Sequence, residues 1–472
     1  MTASSILQAI REECEDLSIL GRWFAEAVPS SFAIRQWNEK IEIAKKTTEK
    51  LILSNPVAAE RKLDALTNEL RLICLRSAHR IADPSYRSPP KSESIRSTSG
   101  RRMSFGYERE LDPQELEERC KHYHSCPEGW TARHILFSSG QTALTSLLMG
   151  ILSSQEFPGG RPITLTHTGG YFETTGLLSL LQAIRPLHIR SNKEVKYLDA
   201  AGDIDLIEPV FYDGISEIRS VGQPFLPARH AAQKTAFAPY LIFDTTLAGP
   251  LFAPADLLAS LSNTGTKLVA CVNSGLKLDQ AGLELSNVGI VSLFSSERRL
   301  AEELGANLHR IRSLTGGGLS LDSMQALEVP WFLDKAYQQS YAGRIFANNA
   351  ALARAFADTS GIFAPLSHPA LMERAAHPWA VSPFCIFQLK APSRANYHTL
   401  ARWIETETEK RRLAFDCGGS FGFRGHRYEV ILPEDEGTPP FLRVAMGARA
   451  GWSRDGIIAL LKDLAERDLL RN

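Results

Sequence analysis

The stretch LVACVNSGLKLDQAGLE, Leu268 to Glu284, decides the reading of the fold. A β-rich run stops at Asn273-Ser274-Gly275, and one lysine, Lys277, stands three residues after Ser274 with only small or apolar neighbours between them. Upstream the same pattern recurs: RHILFSSG then QTALTSLLMGIL, PITLTHTGG then YFETTGLLSLLQAI, and YLIFDTT. Short strands alternating with helices of that length predict an α/β fold with a mainly parallel sheet covered on both faces.

Outside this region the pattern changes. From residue 1 to 82 apolar residues recur at helical spacing, with Leu63, Leu66, Leu70 and Ile73 on one face, and predict a helical N-terminal extension. Residues 83–104 are rich in Ser, Pro and Arg without periodicity and read as a basic linker or mobile loop. The large α/β domain is expected over 105–340. A smaller C-terminal α/β domain is expected over 341–472, from the long helix YAGRIFANNAALARAFADT to the closing helix SRDGIIALLKDLAERDLL.

Composition excludes several classes of protein. The 472 residues carry 53 basic and 53 acidic side chains, so no general attraction to nucleic acid or anionic membrane is expected. Seven scattered cysteines argue against a disulfide scaffold and for a reducing compartment. No apolar run approaches the roughly 20 residues of a membrane span. The polar start MTASSILQAIREECEDL has no signal-peptide core, and a cytoplasmic location is expected.

Ligands of open α/β sheets sit outside the carboxyl ends of the strands, so the residues just after each run belong together. Ser139, Gly140, Gln141 and Thr142 open a helix whose free N–H groups suit a phosphate, or simply cap that helix. Tyr171, after Gly169-Gly170, offers a ring to stack on a flat heterocycle, or fills the core. Asp244 ends YLIFD and needs a partner, because burying an unpaired carboxylate is very costly. Ser274 and Lys277 form the fourth end. A lysine in an apolar loop has its amine pKa lowered, and a neutral amine forms Schiff bases. Pyridoxal 5'-phosphate combines a phosphate, a flat pyridine ring and an aldehyde for such a lysine. An acid at its ring nitrogen, here Asp244, keeps that nitrogen protonated.

The order of phosphate loop, aromatic, Asp and Ser-x-x-Lys resembles the fold-type I pyridoxal-phosphate-dependent transferases, the aminotransferase-like fold. Within them it is most similar to the cysteine and methionine metabolism branch that includes cystathionine γ-synthase. FGYERELDPQELEERC resembles that branch's Tyr-x-Arg motif, with Tyr107 and Arg109 at the motif positions. The resemblance implies that these two reach the phosphate of a neighbouring subunit, in a homodimer or homotetramer, and that Tyr107 also stands near the leaving group. PFLRVAMGARA resembles the segment whose arginine, here Arg443, clamps the substrate α-carboxylate. The likeness covers about Arg102 to the C-terminus. It implies α-deprotonation by Lys277 followed by γ-elimination or γ-replacement on an amino acid. Transamination and a non-catalytic ligand-binding role stay open beside it.

Three departures point to a specialised biosynthetic step. IDLIEPVFYDG has Glu208 and Pro209 but lacks the family's Asn-Pro, the expected Asp-Asn-Thr becomes Asp244-Thr245-Thr246, and the N-terminal extension has no counterpart in the standard enzymes. Carbon–carbon bond formation with a large second substrate, for example from S-adenosylmethionine, is one form of that step. The loop from Tyr86 to Arg102, with Arg87, Lys91, Arg96, Arg101 and Arg102 against one acid, Glu93, is either a solvated linker or a contact for an anionic cosubstrate. GGSFGFRGHRYEV places Ser420 and Arg424 in a substrate loop or a plain hairpin turn. CKHYHSC lacks the spacing of a metal site, and no metal is expected.

Overall fold

The protein is described by a computed structural model covering residues 3–83, 85–90, 94–98, 100–157, 161–191, 202–212, 218–220, 238–261, 265–358, 361–371, 381–433 and 439–468. The N-terminal unit consists of helices α1 (Ala3–Ala27), α2 (Phe32–Ser54) and α3 (Pro56–Ala82). Asn55 starts α3 by accepting a hydrogen bond from the Ala58 amide, and Pro56 occupies the first turn, where its missing N–H is harmless. The face expected from Leu63, Leu66, Leu70 and Ile73 is buried. It shares one core with Ile10, Leu17, Phe24 and Trp37 of the unit and with Leu283, Leu321 and Trp331 of the main body. The extension is therefore packed into the protein and is not a free appendage.

The segment after it departs from the expected linker. Its second half forms a hairpin of β1 (Ile95–Arg96) and β2 (Arg102–Met103). The tip is pinned where Thr98 donates its N–H to Gln325 Oε1 at 2.6 Å and its hydroxyl to Gln325 O at 3.0 Å. Arg101 bridges Glu115 and the buried Glu328, and Arg87 pairs with Glu108 and Asp322. These carboxylates already neutralise two of the cations expected to meet an anionic cosubstrate. Lys91 and Glu93 lie outside the described residues.

The large α/β layer follows with α4 (Gln114–Tyr123), β3 (Thr131–Phe137), α5 (Gly140–Leu152), β4 (Ile163–Thr168), α6 (Phe172–Ile184), β5 (Leu187–Ser191) and β6 (Ile204–Ile207). A small hairpin of β7 (Val210–Tyr212) and β8 (Ile218–Ser220) precedes β9 (Tyr240–Asp244), α7 (Pro254–Leu261), β10 (Leu268–Ser274), β11 (Gly289–Ser295) and α8 (Arg298–Thr315). Among the described residues, seven strands form one sheet in the order β3-β11-β10-β9-β6-β4-β5. Every pairing is parallel except those of β11, which runs antiparallel to both β10 and β3. The strands read as continuous apolar runs because both sheet faces are covered. Leu144, Leu147 and Leu308 pack on one face, and Leu258, Ile345 and Phe346 on the other.

β11 is what the sequence pattern did not reveal, and it matters for the site. Because it runs backwards, its first residue, Gly289, pairs with Ser274 on one side and Phe137 on the other. A Cβ at Gly289 would collide with the Ser139 carbonyl. That close approach draws the α5 N-terminus against the end of β10.

The remaining chain comprises α9 (Leu321–Leu327), α10 (Lys335–Ala355), β12 (Cys385–Phe387), α11 (Arg394–Arg411), β13 (Phe415–Cys417), β14 (His426–Ile431), β15 (Phe441–Ala445) and α12 (Trp452–Ala465). Asp334 caps α10 by accepting from the Tyr337 amide, so this helix runs unbroken across the boundary expected at 340. The second sheet has the order β12-β15-β14-β13 and packs on α11 and α12 through Leu400, Ile404, Leu442 and Leu460.

Candidate active site

β10 ends in a tight turn, with the Gly275 amide donating to Val288 O at 2.9 Å and the Lys277 amide to Ser274 O at 3.3 Å. The Lys277 side chain emerges from it, half-buried. Its Nζ donates to Ser420 Oγ at 2.6 Å and lies 5.8 Å from the centroid of Phe421. Burial lowers the Lys277 amine pKa. The nearby Glu284 carboxylate opposes that shift, and the Arg443 guanidinium reinforces it. A lysine in these surroundings is closer to a neutral nucleophile than a surface lysine is.

Asp244 ends the neighbouring strand, in register with Val272 and so two residues from the level of Ser274. Thr246 couples the two strand ends: its N–H donates to Asp244 Oδ1 at 3.0 Å, and its hydroxyl accepts from the Ser274 N–H at 3.0 Å. Desolvation, with the Glu208 carboxylate as the next largest cause, pushes the Asp244 carboxyl up from 3.8 to about 6. Among the described residues no cation forms an ion pair with Asp244. Such a carboxylate suits a cationic ligand atom that the chain itself does not supply.

Glu208 follows β6 and is buried. It accepts from the Gly170 and Tyr171 amides at 3.2 and 3.3 Å and contacts His167 Nε2 at 3.2 Å. A Cβ at Gly169 would collide with this carboxyl, which explains the glycine there. The result fixes Tyr171 at the start of α6. Burial raises the Tyr171 phenol pKa, helped by a hydrogen bond to Glu173 and by the charge of Asp244. Glu173 was not singled out in the sequence, where an acid in the first turn of a helix reads as dipole compensation.

Ser139 caps α5, its hydroxyl accepting from the Thr142 N–H at 3.1 Å and lying 2.8 Å from Thr142 Oγ1. The first N–H groups of a helix have no partner within it, which leaves those of Gly140 and Gln141 as anion donors. A Cβ at Gly140 would sit 3.0 Å from Ser274 Cβ. The phosphate-type cradle and the lysine turn are thus neighbours.

Arg443, on β15, is directly opposite Glu429 of β14 and forms an ion pair with it; its guanidinium lies 5.7 Å from the Phe384 ring centroid. Arg443 is a charge felt by both Lys277 and Tyr171. Glu429 was missed in the sequence; the available signal was its cross-strand position in an alternating HRYEVI strand. Tyr107 is exposed, with the Arg109 guanidinium 4.8 Å from its ring centroid. Arg109 packs near Gly316, beside the Gly317 that abuts Thr142.

Arg424 corrects the sequence reading. It is buried, pairing with Glu13 at 3.1 Å and Asp16 at 2.6 Å on α1. Its place is in the protein's interior and not among substrate contacts. The residues of CKHYHSC are dispersed: Cys120 is buried in α4, His122 is exposed, and His124 Nδ1 meets Ser292 Oγ at 2.9 Å.

Asp244 also carries a stability prediction. Its carboxyl binds a proton more readily in the folded chain than in the unfolded one. Its contribution is therefore fully present below the unfolded value of 3.8 and is lost as pH rises through about 6. In the cofactor-free protein, Asp244→Asn should raise the melting temperature at a pH of about 8, by an amount equivalent to on the order of 1 kcal/mol, and the gain should vanish near pH ~4. Thermal unfolding across pH checks this; a gain that is constant with pH would contradict it.

No family model matches the chain, and no curated protein matches it. Solved structures do. Cystathionine gamma synthase from Xanthomonas oryzae pv. oryzae aligns with a TM-score of 0.55 at 14% identity, covering 84% of this chain and 99% of that one. A putative O-acetylhomoserine (thiol)-lyase from Campylobacter jejuni subsp. jejuni, solved with N'-pyridoxyl-lysine-5'-monophosphate, aligns with a TM-score of 0.52 at 15% identity, covering 77% and 88%. The likeness shows the fold: this chain has the fold-type I architecture of those proteins.

Proposed function

We propose that the protein is a pyridoxal-phosphate-dependent enzyme that acts on an amino acid by α-deprotonation and then γ-elimination or γ-replacement. The observation carrying this reading is the desolvated Lys277 amine at the end of β10, beside the buried Asp244 on the adjoining strand, which forms no ion pair among the described residues. The donor set fits the group. Gly140, Gln141, Ser139, Thr142 and Ser274 would hold its phosphate, Tyr171 its ring face and Asp244 its ring nitrogen, while Lys277 would bond its aldehyde carbon. When bound, pyridoxal phosphate supplies an electron-withdrawing ring that makes the substrate α-proton acidic.

The chain's residues then have separate tasks. Arg443 holds the substrate carboxylate, displacing Glu429 in a bidentate fork. Lys277, lowered by burial toward neutrality, takes the α-proton as general base. The Ser420 hydroxyl, which already accepts from Lys277, keeps the amine on the substrate side. γ-Chemistry, in preference to transamination, is supported by the cystathionine and O-acetylhomoserine enzymes that share the fold. The finer form, carbon–carbon bond formation from a sulfonium donor such as S-adenosylmethionine, rests on the departures in the sequence. We also propose a homodimer or homotetramer, in which Tyr107 and Arg109 reach a neighbour's phosphate. The exposure of Tyr107 and of Phe172, Leu180 and Ile184 along one side of α6 supports it.

The reaction class is tested by incubating the protein and pyridoxal phosphate with homoserine esters, cystathionine or S-adenosylmethionine in deuterium oxide. Deuterium at the β-carbon with loss of the γ-group is expected. Exchange at the α-position only, with keto acid and pyridoxamine phosphate accumulating, would make the protein an aminotransferase. An unchanged visible spectrum with every amino acid would leave a ligand-binding protein.

A further inference from the structure

The loop that follows Lys277 has an unusual backbone. Ala281, Gly282 and Glu284 all have positive φ, at 56°, 72° and 44°. For the two residues with side chains this costs on the order of 1 kcal/mol each, and such a conformation persists only where its surroundings enforce it. The base of the loop is closed from within. Gln280 donates to Gly275 O and Ser286 O and accepts from the Leu285 and Ser286 amides, and Asp279 is bonded by Asn273 and Tyr123.

The tip is held from outside, by two arginines. Arg71 of α3 donates from Nε to Leu283 O at 2.7 Å and from a terminal nitrogen to Glu284 O at 3.2 Å. Arg424 donates from Nε to Ala281 O at 3.1 Å. Arg424 is itself fixed by Glu13 and Asp16 of α1 and by the Tyr337 hydroxyl at 2.9 Å. It lies four residues after Ser420, the acceptor for the Lys277 amine, and between them Gly422 packs so tightly on the Lys277 carbonyl that a Cβ would collide. Helices α1 and α3 thus reach both segments that meet at the Lys277 amine.

We propose that the N-terminal helical unit positions Lys277, with Arg71 and Arg424 locking the 281–284 tip against the Ser420 segment. Lys277 as the cofactor lysine is taken from the function proposed above. Arg71 and Arg424 are positioning residues: neither touches the amine. The unit is then a working part of the site, and its role is geometric. Displacements of about 1 Å at a reacting group cost up to roughly 10²-fold in rate, so removing a tip anchor reads out at Lys277.

The test uses the full chain, comparing Arg71→Ala and Arg71→Lys with Arg22→Ala, whose exposed arginine pairs with the exposed Glu15 on the solvent side of α1. In the cofactor-free protein, limiting acetic anhydride followed by mass spectrometry should label Lys277 several-fold faster in Arg71→Ala, with other lysines unchanged. With pyridoxal phosphate bound, kcat should fall on the order of tenfold while the amino-acid KM stays within about twofold. Visible circular dichroism of the bound chromophore should weaken, Arg71→Lys should recover part of each loss, and Arg22→Ala should match the parent. A folded Arg71→Ala protein with parental labelling and kcat would overturn the proposal, as would equal losses in Arg22→Ala. A parent protein that takes up no pyridoxal phosphate would refute the cofactor reading alone, since the labelling experiment needs no cofactor.

Discussion

Replacing Lys277 with alanine is expected to remove the visible absorption of the pyridoxal-phosphate-treated protein and to lower turnover by roughly 10⁴-fold or more, the upper range for losing a positioned base. Two proposed roles would fall together, the amine that bonds the cofactor and the base that moves the α-proton. The competing role is visible in the structure: Lys277 donates to Ser420 Oγ, and a purely structural lysine would do no more. The two roles differ in their spectra. A structural lysine would give a less stable protein that still bound pyridoxal phosphate at another amine, with its visible band intact and reducible by borohydride. Peptide mapping after borohydride should instead find the label at Lys277 in the parent and nowhere in the variant. A retained, reducible band in Lys277→Ala would end the cofactor assignment.

What the sequence disclosed about this site follows from how its parts are encoded. Runs such as LVACVNS are long, apolar and abruptly ended, so the strand ends at Asp244 and Ser274 and the helix opening at Gly140 are written locally. Ser320, within the glycine-rich TGGGLSL, caps α9 by accepting from the Ser323 amide, a pairing just three residues long and so equally local. Features made by distant pairing were illegible. Arg424 sits in a glycine-rich stretch that looks like a substrate loop, and only its ion pairs to Glu13 and Asp16, some four hundred positions away, reveal a buried clamp. β11 gave no turn signal of its own, and it is reached through a loop whose carbonyls are bonded by the distant Arg71 and Arg424. The basic segment misled for the same reason, since charge in a sequence carries no sign of the carboxylates that Arg87 and Arg101 will meet.

Arg443→Ala is expected to raise the amino-acid KM by about 10- to 100-fold, the equivalent of the ~1.5–3 kcal/mol of a hydrogen bond to a charged group. Unlike loss of Lys277, it should leave the visible band in place, because the proposed role of Arg443 is to meet the substrate and not the cofactor. Glu429 sharpens the expectation. It faces Arg443 across two strands and holds the guanidinium in the substrate-free protein, with 18% of the Arg443 side chain and 34% of that of Glu429 left accessible. In the proposed clamp a substrate carboxylate would have to displace it. Glu429→Gln removes the competing charge while keeping a side chain of the same shape, so it should lower the KM by a few-fold and raise affinity for simple carboxylates such as propionate. The opposite signs of the two substitutions are diagnostic. A structural Arg443–Glu429 pair would make both destabilise the β14–β15 strands alike, with parallel losses in melting temperature and no change in propionate binding. A carboxylate clamp held closed by an internal acid makes one substitution weaken propionate binding and the other strengthen it, which calorimetry on the unloaded protein can read without any turnover.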